Sequence, residues 1–205
     1  MGPARNYRGR SPEERKEARR LSILQAAISV FGDVGYRAAT VQAICDAAGL
    51  TKRYFYESYK DSNDLLEECF RVSVGELIEE LSAYAAEQGA VDPRSRTRAI
   101  LTRYFESLRD DPGQSRLFLL DAEGVSPGVT SAMHDAERAM ADLLVPAELF
   151  APDDARSALF RLGAMSGIAR VSSLWIAGNC ALPIQDVVES GLSLFDSVLP
   201  RHPLA

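Results

Sequence analysis

Residues 43–66 read AICDAAGLTKRYFYESYKDSNDLL, and this stretch gives the strongest indication of local structure in the sequence. A short apolar run ends at Gly49, after which Thr51, Lys52 and Arg53 lead into three consecutive aromatic residues. A glycine in the left-handed conformation closes a helix, and a threonine is a favourable first cap for the next one. The stretch therefore predicts two short helices joined by a tight turn.

The residues ahead of this stretch predict one further helix. Ser11, followed by Pro12 and Glu14, provides a capping hydroxyl, a proline in the first turn and a carboxylate near the positive end of the helix. The predicted buried stripe of this helix consists of Leu21, Leu24, Ile28 and Phe31. Thr40 then caps a short helix that carries Val41, Ile44 and Ala48 inward. Three helices in this order predict a helix-turn-helix unit, whose last helix lies in the DNA major groove.

The last of these helices has two faces of different chemistry. Leu50, Phe55 and Tyr59 are expected to face inward, which explains the aromatic residues beside two cations. Hydroxyl groups at helix starts and lysines suit phosphate oxygens, and the arginine fork suits guanine O6 and N7. We predict DNA contacts from Arg37, Thr40, Thr51, Lys52, Arg53, Tyr54, Tyr56, Ser58 and Lys60. A solvated Lys52, or a Tyr54 that is half-buried, remains an alternative for the individual residues.

Residues 35–66, GYRAATVQAICDAAGLTKRYFYESYKDSNDLL, resemble the DNA-binding signature of TetR-family transcriptional regulators. The likeness is specific over residues 15–66, about a quarter of the chain. The shared residues are Gly35-Tyr36, Thr40, Ile44, Ala48-Gly49-Leu50-Thr51, Phe55-Tyr56, Tyr59-Lys60 and Leu65. The family usually has Gly where this chain has Arg53, His or Tyr in place of Ser58, and Lys in place of Ser62. Glu57 is also an acid among cations.

This resemblance implies a sequence-specific transcriptional regulator that binds a double-stranded DNA operator as a homodimer. It also implies repression that is relieved when a small-molecule effector binds. The alternative from another class is a helical ligand-binding or scaffolding protein whose helix-turn-helix no longer binds DNA, which Glu57 and Ser62 would favour.

The charge distribution agrees with a DNA-binding segment at the N-terminus. Of the net charge of −6, residues 1–60 contribute eleven Lys/Arg against six Asp/Glu, and residues 61–205 contribute twelve against twenty-three. A basic segment on an acidic body predicts a polyanion-binding module joined to a second unit. Three widely spaced cysteines, the lack of an apolar run of about 20 residues and a polar N-terminus favour a cytoplasmic protein that does not bind membranes.

The rest of the chain is also predicted to be helical. Cap-then-proline pairs at Asp92-Pro93, Asp111-Pro112 and Ser126-Pro127 predict helix starts, and Pro152 and Pro183 predict two more. The predicted fold is all-α, with an N-terminal three-helix helix-turn-helix domain and a C-terminal helical ligand-binding and dimerisation domain. We divide the chain into a disordered basic arm at 1–11, the DNA-binding domain at 12–60 and the effector-binding and dimerisation domain at 61–205.

The predicted C-terminal domain contains two candidate surfaces. An effector pocket for a largely apolar ligand is predicted from Tyr104, Phe105, Phe118, Met133, Met140 and Trp175, although each of these residues also suits an ordinary core. A dimer interface is predicted from Gly163, Gly167, Val188, Gly191, Leu192 and Phe195, although the same stripe would suit packing within one subunit.

Enzymatic function is not expected from this sequence. Its two histidines, His134 and His202, are far apart, and we find neither a Cys-His pair nor a glycine-rich phosphate loop. We therefore predict no catalytic residues, no metal site and no cofactor.

Overall fold

The computed structural model describes residues 11–88, 92–122, 124–145 and 155–198, so the predicted arm lies outside the described residues except for Ser11. These residues form nine α-helices and no strand, which confirms the predicted all-α fold. The helices are α1 (Pro12–Val34), α2 (Val41–Ala48), α3 (Lys52–Ser58), α4 (Ser62–Glu87), α5 (Pro93–Asp110), α6 (Pro112–Arg116), α7 (Pro127–Leu144), α8 (Ala155–Ala177) and α9 (Ile184–Val198), and a π-helical turn (Leu117–Asp121) continues α6. None of these helices is long and apolar enough to cross a membrane.

Side-chain caps begin most of the helices where the sequence predicted a start. Ser11 and Glu14 form a reciprocal capping box at α1. The carboxylates of Asp92 and Asp111 accept backbone N–H bonds of 3.0 and 2.9 Å at α5 and α6. The Ser126 hydroxyl accepts one of 3.2 Å at α7. A cap of this kind typically contributes about 1 kcal/mol, so these short polar side chains fix the helix boundaries.

Two hydrophobic cores lie at opposite ends of α4. The N-terminal core contains residues of α1, α2 and α3 together with Leu65, Leu66, Cys69 and Phe70 of α4. The C-terminal core contains Leu81 of the same helix with residues of α5, α7, α8 and α9. The first half of α4 thus packs with the helix-turn-helix unit, although the sequence-based division placed the whole helix in the second domain.

The buried stripe of α1 differs from the predicted one. Leu21 is 45% exposed and Ile28 is only partly buried, whereas Ile23 and Ala27 are fully buried beside the predicted Leu24 and Phe31. The helix is rotated so that Ala27, rather than Ile28, lies at the centre of its contact face. The small alanine side chain allows the neighbouring helices to approach closely, which periodicity alone does not reveal.

Helix α6 connects the two cores. It packs on the end of α1 so closely that a Cβ atom at Gly113 would lie 2.9 Å from the carbonyl oxygen of Gly32. In the π-helical turn that follows, Leu117 belongs to the N-terminal core and Leu119 packs against the C-terminal core. A displacement of α6 would therefore change the packing of both cores.

Candidate nucleic-acid interface

The turn between α2 and α3 has the geometry of a helix-turn-helix. Gly49 adopts the left-handed conformation, with φ 65° and ψ 31°, and closes α2 as predicted. The N–H of Leu50 then donates to the carbonyl of Cys45 at 2.9 Å, and Thr51 is extended ahead of α3. Phe55 and Tyr59 are buried with their ring centroids 5.9 Å apart, and Leu50 is half-buried. This inner face fixes the position of α3 on the N-terminal core.

Most of the predicted DNA-contacting residues lie on the opposite, exposed face. Arg37, Thr40, Thr51, Lys52, Arg53, Tyr56 and Lys60 are exposed, whereas Tyr54 and Ser58 are half-buried. The Thr40 hydroxyl accepts the N–H of Ala43 at 3.1 Å, so it is already engaged as the cap of α2. The Thr51 side chain makes no capping hydrogen bond to α3, and Tyr56 is 61% exposed. Hydroxyl groups and cations of α3 and its flanking segments are thus accessible to solvent.

Arg53 and Glu57 form an ion pair along this surface. The Arg53 Nε donates to Glu57 Oε1 at 2.9 Å, and the arginine side chain remains 83% exposed. An exposed pair of this spacing stabilises a helix by only about 0.3–0.5 kcal/mol. The contact nevertheless gives the acid among the cations of α3 a local partner, and it engages the Nε of Arg53 rather than its terminal nitrogens.

Arg19 joins this surface through a contact that the sequence reasoning missed. Its guanidinium lies 4.4 Å from the centroid of the Tyr54 ring, a distance at which cation and ring attract one another. The contact also explains why Tyr54 is half-buried rather than fully exposed. No local pattern marks Arg19, since the pairing depends on how α1 crosses α3.

A polar group lies beneath α3 at the junction of α1 and α4. Arg20 forms an ion pair with Glu68 and lies 5.8 Å from the centroid of the Tyr59 ring. The Tyr59 hydroxyl is buried, and it finds no hydrogen-bond partner among the residues that the structure describes. Burial, reinforced by the nearby Glu68 carboxylate, raises the pKa of Tyr59. Tyr59 is therefore uncharged, and it contributes to the position of α3 through packing.

Four of the six predicted effector-pocket residues line one apolar cavity. Tyr104, Phe118, Met133 and Met140 surround a space of about 110 Å³ between α4, α5, α7 and α8. The two other predicted residues belong to the surrounding core. Phe105 is fully buried against Trp175, with ring centroids 5.5 Å apart, and the Trp175 indole N–H donates to the carbonyl of Leu182 at 2.9 Å.

A larger polar cleft of about 360 Å³ adjoins this cavity. The two share Val74, Leu77, Leu108 and Phe118 as a common wall. The rest of the cleft is lined by Ser73, Glu76, Glu80, Arg103, Ser107, Asp110, Asp111, Gln114 and Ser115. Helix α6 contributes Gln114 and Ser115, so the helix that packs on α1 also forms part of this cleft.

Most of the predicted dimer-interface residues face the interior of the protomer. Val188, Leu192 and Phe195 are buried in its C-terminal core, and Gly191 packs against Leu101. Gly167 faces the Leu194 side chain, whereas Gly163 is exposed with open space above it. The surface of α8 instead presents Leu159, Gly163, Ser166, Arg170 and Leu174 at helical spacing. Leu174 also borders a cavity of about 300 Å³ formed with Leu182 at the end of α8.

The fold and the geometry of α2 and α3 define a helix-turn-helix protein. The family model for bacterial regulatory proteins, tetR family, matches residues 23–69, which extend from α1 into α4. The chain is 28% identical over 127 residues to the HTH-type transcriptional activator FasR of Mycolicibacterium smegmatis, an alignment that covers 62% of this chain and 57% of FasR. It is 30% identical over 88 residues to the HTH-type transcriptional regulator BetI of Yersinia pestis, with 43% and 44% covered. Residues 23–69 therefore match the helix-turn-helix segment of the tetR family of bacterial regulatory proteins, and this part of the chain is similar to known transcriptional regulators.

The fold likeness extends over more of the chain than the sequence likeness. The transcriptional regulator FadR of Bacillus subtilis, solved in complex with stearoyl-CoA, superimposes with a TM-score of 0.70 at 17% identity. That superposition covers 88% of this chain and 99% of FadR. The chain spans about half the length of the curated relatives that it matches. Those relatives are transcriptional regulators, which agrees with the expectation that the chain is not an enzyme.

Proposed function

We propose that this chain is a transcriptional regulator that binds its operator through α3 as a homodimer and is released by a small-molecule effector. The observation that carries the proposal is the exposed row on α3, where Lys52, Arg53 and Tyr56 lie over buried Phe55 and Tyr59. Helix α3 is held rigidly on its inner face, so its outer face can enter a major groove without rearrangement.

Each exposed side chain suits a particular part of the DNA. Lys52 and Lys60 neutralise phosphates, and the Thr51 hydroxyl, which makes no capping bond to α3, donates to a phosphate oxygen. Tyr56 places a rigid hydroxyl at the same backbone. Arg53, restrained by Glu57, reads a guanine. In this assignment the lysines, Thr51 and Tyr56 position the helix on the DNA backbone, and Arg53 alone reads a base.

A homodimer is proposed through the outer face of α8 and α9. One seven-residue recognition helix offers few base contacts, and a dimer doubles them on two half-sites. The exposed Leu159 and Leu174 lie on one stripe of α8, with Gly163 between them to allow close approach of a partner helix. Val188, Leu192 and Phe195, which were predicted at the interface, stabilise it indirectly because they pack α9 onto the protomer core.

Effector control is proposed through the apolar cavity and α6. Phe118 lines the cavity and lies in the π-helical turn that continues α6. The α6 residue Gly113 packs closely against Gly32 near the end of α1. A ligand that enlarges the cavity would displace α6 and, through it, the helix-turn-helix unit. The ligand shifts the equilibrium only by its differential affinity for the two arrangements. Repression is the direction proposed, with the protein acting in the cytoplasm.

Selection of genomic DNA fragments tests this function. The purified chain is expected to enrich a palindromic site whose half-sites are separated by whole helical turns, with affinity that falls as salt increases. The Lys52→Ala variant should retain the site preference but bind it more weakly. If no sequence is enriched above nonspecific background at low salt, the regulator proposal fails and the alternative of a helical ligand-binding or scaffolding protein stands.

A further inference from the structure

The apolar cavity and the polar cleft lie on two sides of one wall. Val74 and Leu77 of α4, Leu108 of α5 and Phe118 of the π-helical turn belong to both. The cavity is almost entirely apolar inside, whereas about half of the cleft lining is polar, and both open to solvent. One ligand that spans this wall would have an apolar part in the cavity and a polar part in the cleft.

The size of the cavity limits the apolar part. A dry engineered cavity of about 150 Å³ accommodates benzene, so a space of about 110 Å³ takes only a chain of a few carbons as it stands. Met133, Met140 and Met165 line it, and methionine side chains adapt readily to a new shape. An apolar group of moderate length is therefore accommodated by rearrangement of side chains.

The charges around both spaces are predominantly negative. Glu76, Glu80, Asp110 and Asp111 line the cleft together with Arg103. Arg109 pairs with Asp110 at 3.3 Å and Asp111 caps α6, which leaves Glu76 as the cleft carboxylate with no ion pair among the described residues. The Arg103 Nε already donates to Glu80 at 2.7 Å, so an anion would have to compete with that carboxylate. The cleft belongs to residues 61–205, a segment that has twelve Lys/Arg and twenty-three Asp/Glu and is therefore acidic as a whole.

The apolar cavity carries a negative charge of its own. Glu137 of α7 is its one charged lining residue in the described part of the chain, and it is half-buried. A carboxylate beside an apolar space attracts a cation and raises the free energy of an anion placed there. Glu137 lies on α7, which contributes no carboxylate to the cleft. Like the cleft carboxylates, it favours a positively charged ligand.

We infer that the effector of this chain is an amphipathic cation, with an apolar chain or ring in the cavity and an ammonium or amidinium group at the cleft. The inference rests on the effector control proposed above and specifies the ligand class. It distinguishes this chain from the FadR structure with stearoyl-CoA, because a polyanionic head group would meet the acidic cleft.

A series of eight-carbon probes of different charge tests the inference. Octyltrimethylammonium, 1-octanol and octanoate, each below its aggregation concentration, are titrated into the full chain by calorimetry, and lauroyl-CoA is added as a polyanionic probe. The cation is expected to bind at least tenfold more tightly than octanoate at low salt, with 1-octanol between them. Added salt should reduce this difference, because the cleft is open to solvent.

Two neutralising variants and a matched control separate charge from shape. Glu76→Gln and Glu137→Gln should each weaken binding of the cation about threefold, and together about tenfold, while leaving 1-octanol unchanged within twofold. Glu79→Gln removes the same charge from α4, but Glu79 lines neither space and should change nothing. Thermal unfolding of each variant checks that the fold is intact.

The outcomes distinguish this inference from the proposal on which it rests. If octanoate or lauroyl-CoA binds at least as tightly as the cation, or the double variant leaves the preference unchanged, the charge assignment is overturned and the effector site remains. If no probe binds, both the charge assignment and the effector site fail. DNA binding, measured on the same preparation, reports independently on the regulator function.

Discussion

The contact between α1 and α6 gives the prediction that depends most directly on the atomic geometry. In the Gly113→Ala variant, the new Cβ atom would lie 2.9 Å from the Gly32 carbonyl oxygen and 3.1 Å from its carbon. Both are backbone atoms, so no side-chain rotation relieves the overlap, and α6 must move away from α1. Overpacking of this kind costs about 1–3 kcal/mol.

The helix itself offsets part of that cost. Alanine is favoured over glycine inside a helix by about 0.5–1 kcal/mol, so the expected net loss is about 0–2.5 kcal/mol in the free energy of unfolding. In a chain of this size each kcal/mol shifts Tm by about 2–4 °C. Gly113→Ala should therefore lower Tm by up to about 10 °C, with the protein concentration held constant because dimerisation affects Tm.

A second glycine provides the control. Gly75 lies within α4, and a Cβ atom there would meet nothing within 4 Å. Gly75→Ala gains the helix preference without the overlap and should raise Tm by about 1–4 °C. The measurement is thermal unfolding followed by far-UV circular dichroism. A Gly113→Ala variant that gains as much in Tm as Gly75→Ala would show that α6 and α1 are not in close contact.

Three further substitutions test the residues around α3. Tyr56→Phe should weaken binding to every DNA sequence by a similar factor, measured by fluorescence anisotropy, since its hydroxyl is assigned to the backbone; a loss confined to one sequence would contradict that role. Arg53→Ala should cost about 1–3 kcal/mol at one base pair and relax specificity there, whereas equal losses on a full set of single-base variants would make it a phosphate contact. Tyr59→Phe removes a buried hydroxyl that has no hydrogen-bond partner among the described residues, so stability to urea should be unchanged or rise by about 1 kcal/mol. A clear loss would reveal a hydrogen bond from that hydroxyl.

Much of the DNA-binding unit could be predicted from the sequence because its determinants are local. The capping box of Ser11 and Glu14 and the left-handed Gly49 depend on neighbours within a few residues, and the structure places both as expected. The burial of Phe55 and Tyr59 under exposed cations follows from helical spacing alone. Local chemistry and periodicity therefore sufficed for the fold class and for the two faces of α3.

Contacts between distant segments could not be predicted in this way. The stack of Arg19 on Tyr54 depends on the angle at which α1 crosses α3. The apolar stripe of α9 looks the same in sequence whether it packs on its own protomer or on a partner, and the structure places Leu192 and Phe195 in the protomer core. The cavity between α4, α5, α7 and α8 and its acidic cleft arise only from tertiary packing.

Two matched charge removals test whether the exposed face of α3 contacts operator DNA. Lys52→Ala removes a cation from α3, and Arg138→Ala removes one from the exposed face of α7, away from both α3 and the proposed dimer interface. Binding of both variants to a selected operator is measured by fluorescence anisotropy across a salt series. We expect Lys52→Ala to weaken binding and to reduce the salt dependence by about one phosphate contact, while Arg138→Ala leaves both unchanged. Equal affinity and equal salt dependence for Lys52→Ala and the wild type would contradict this expectation.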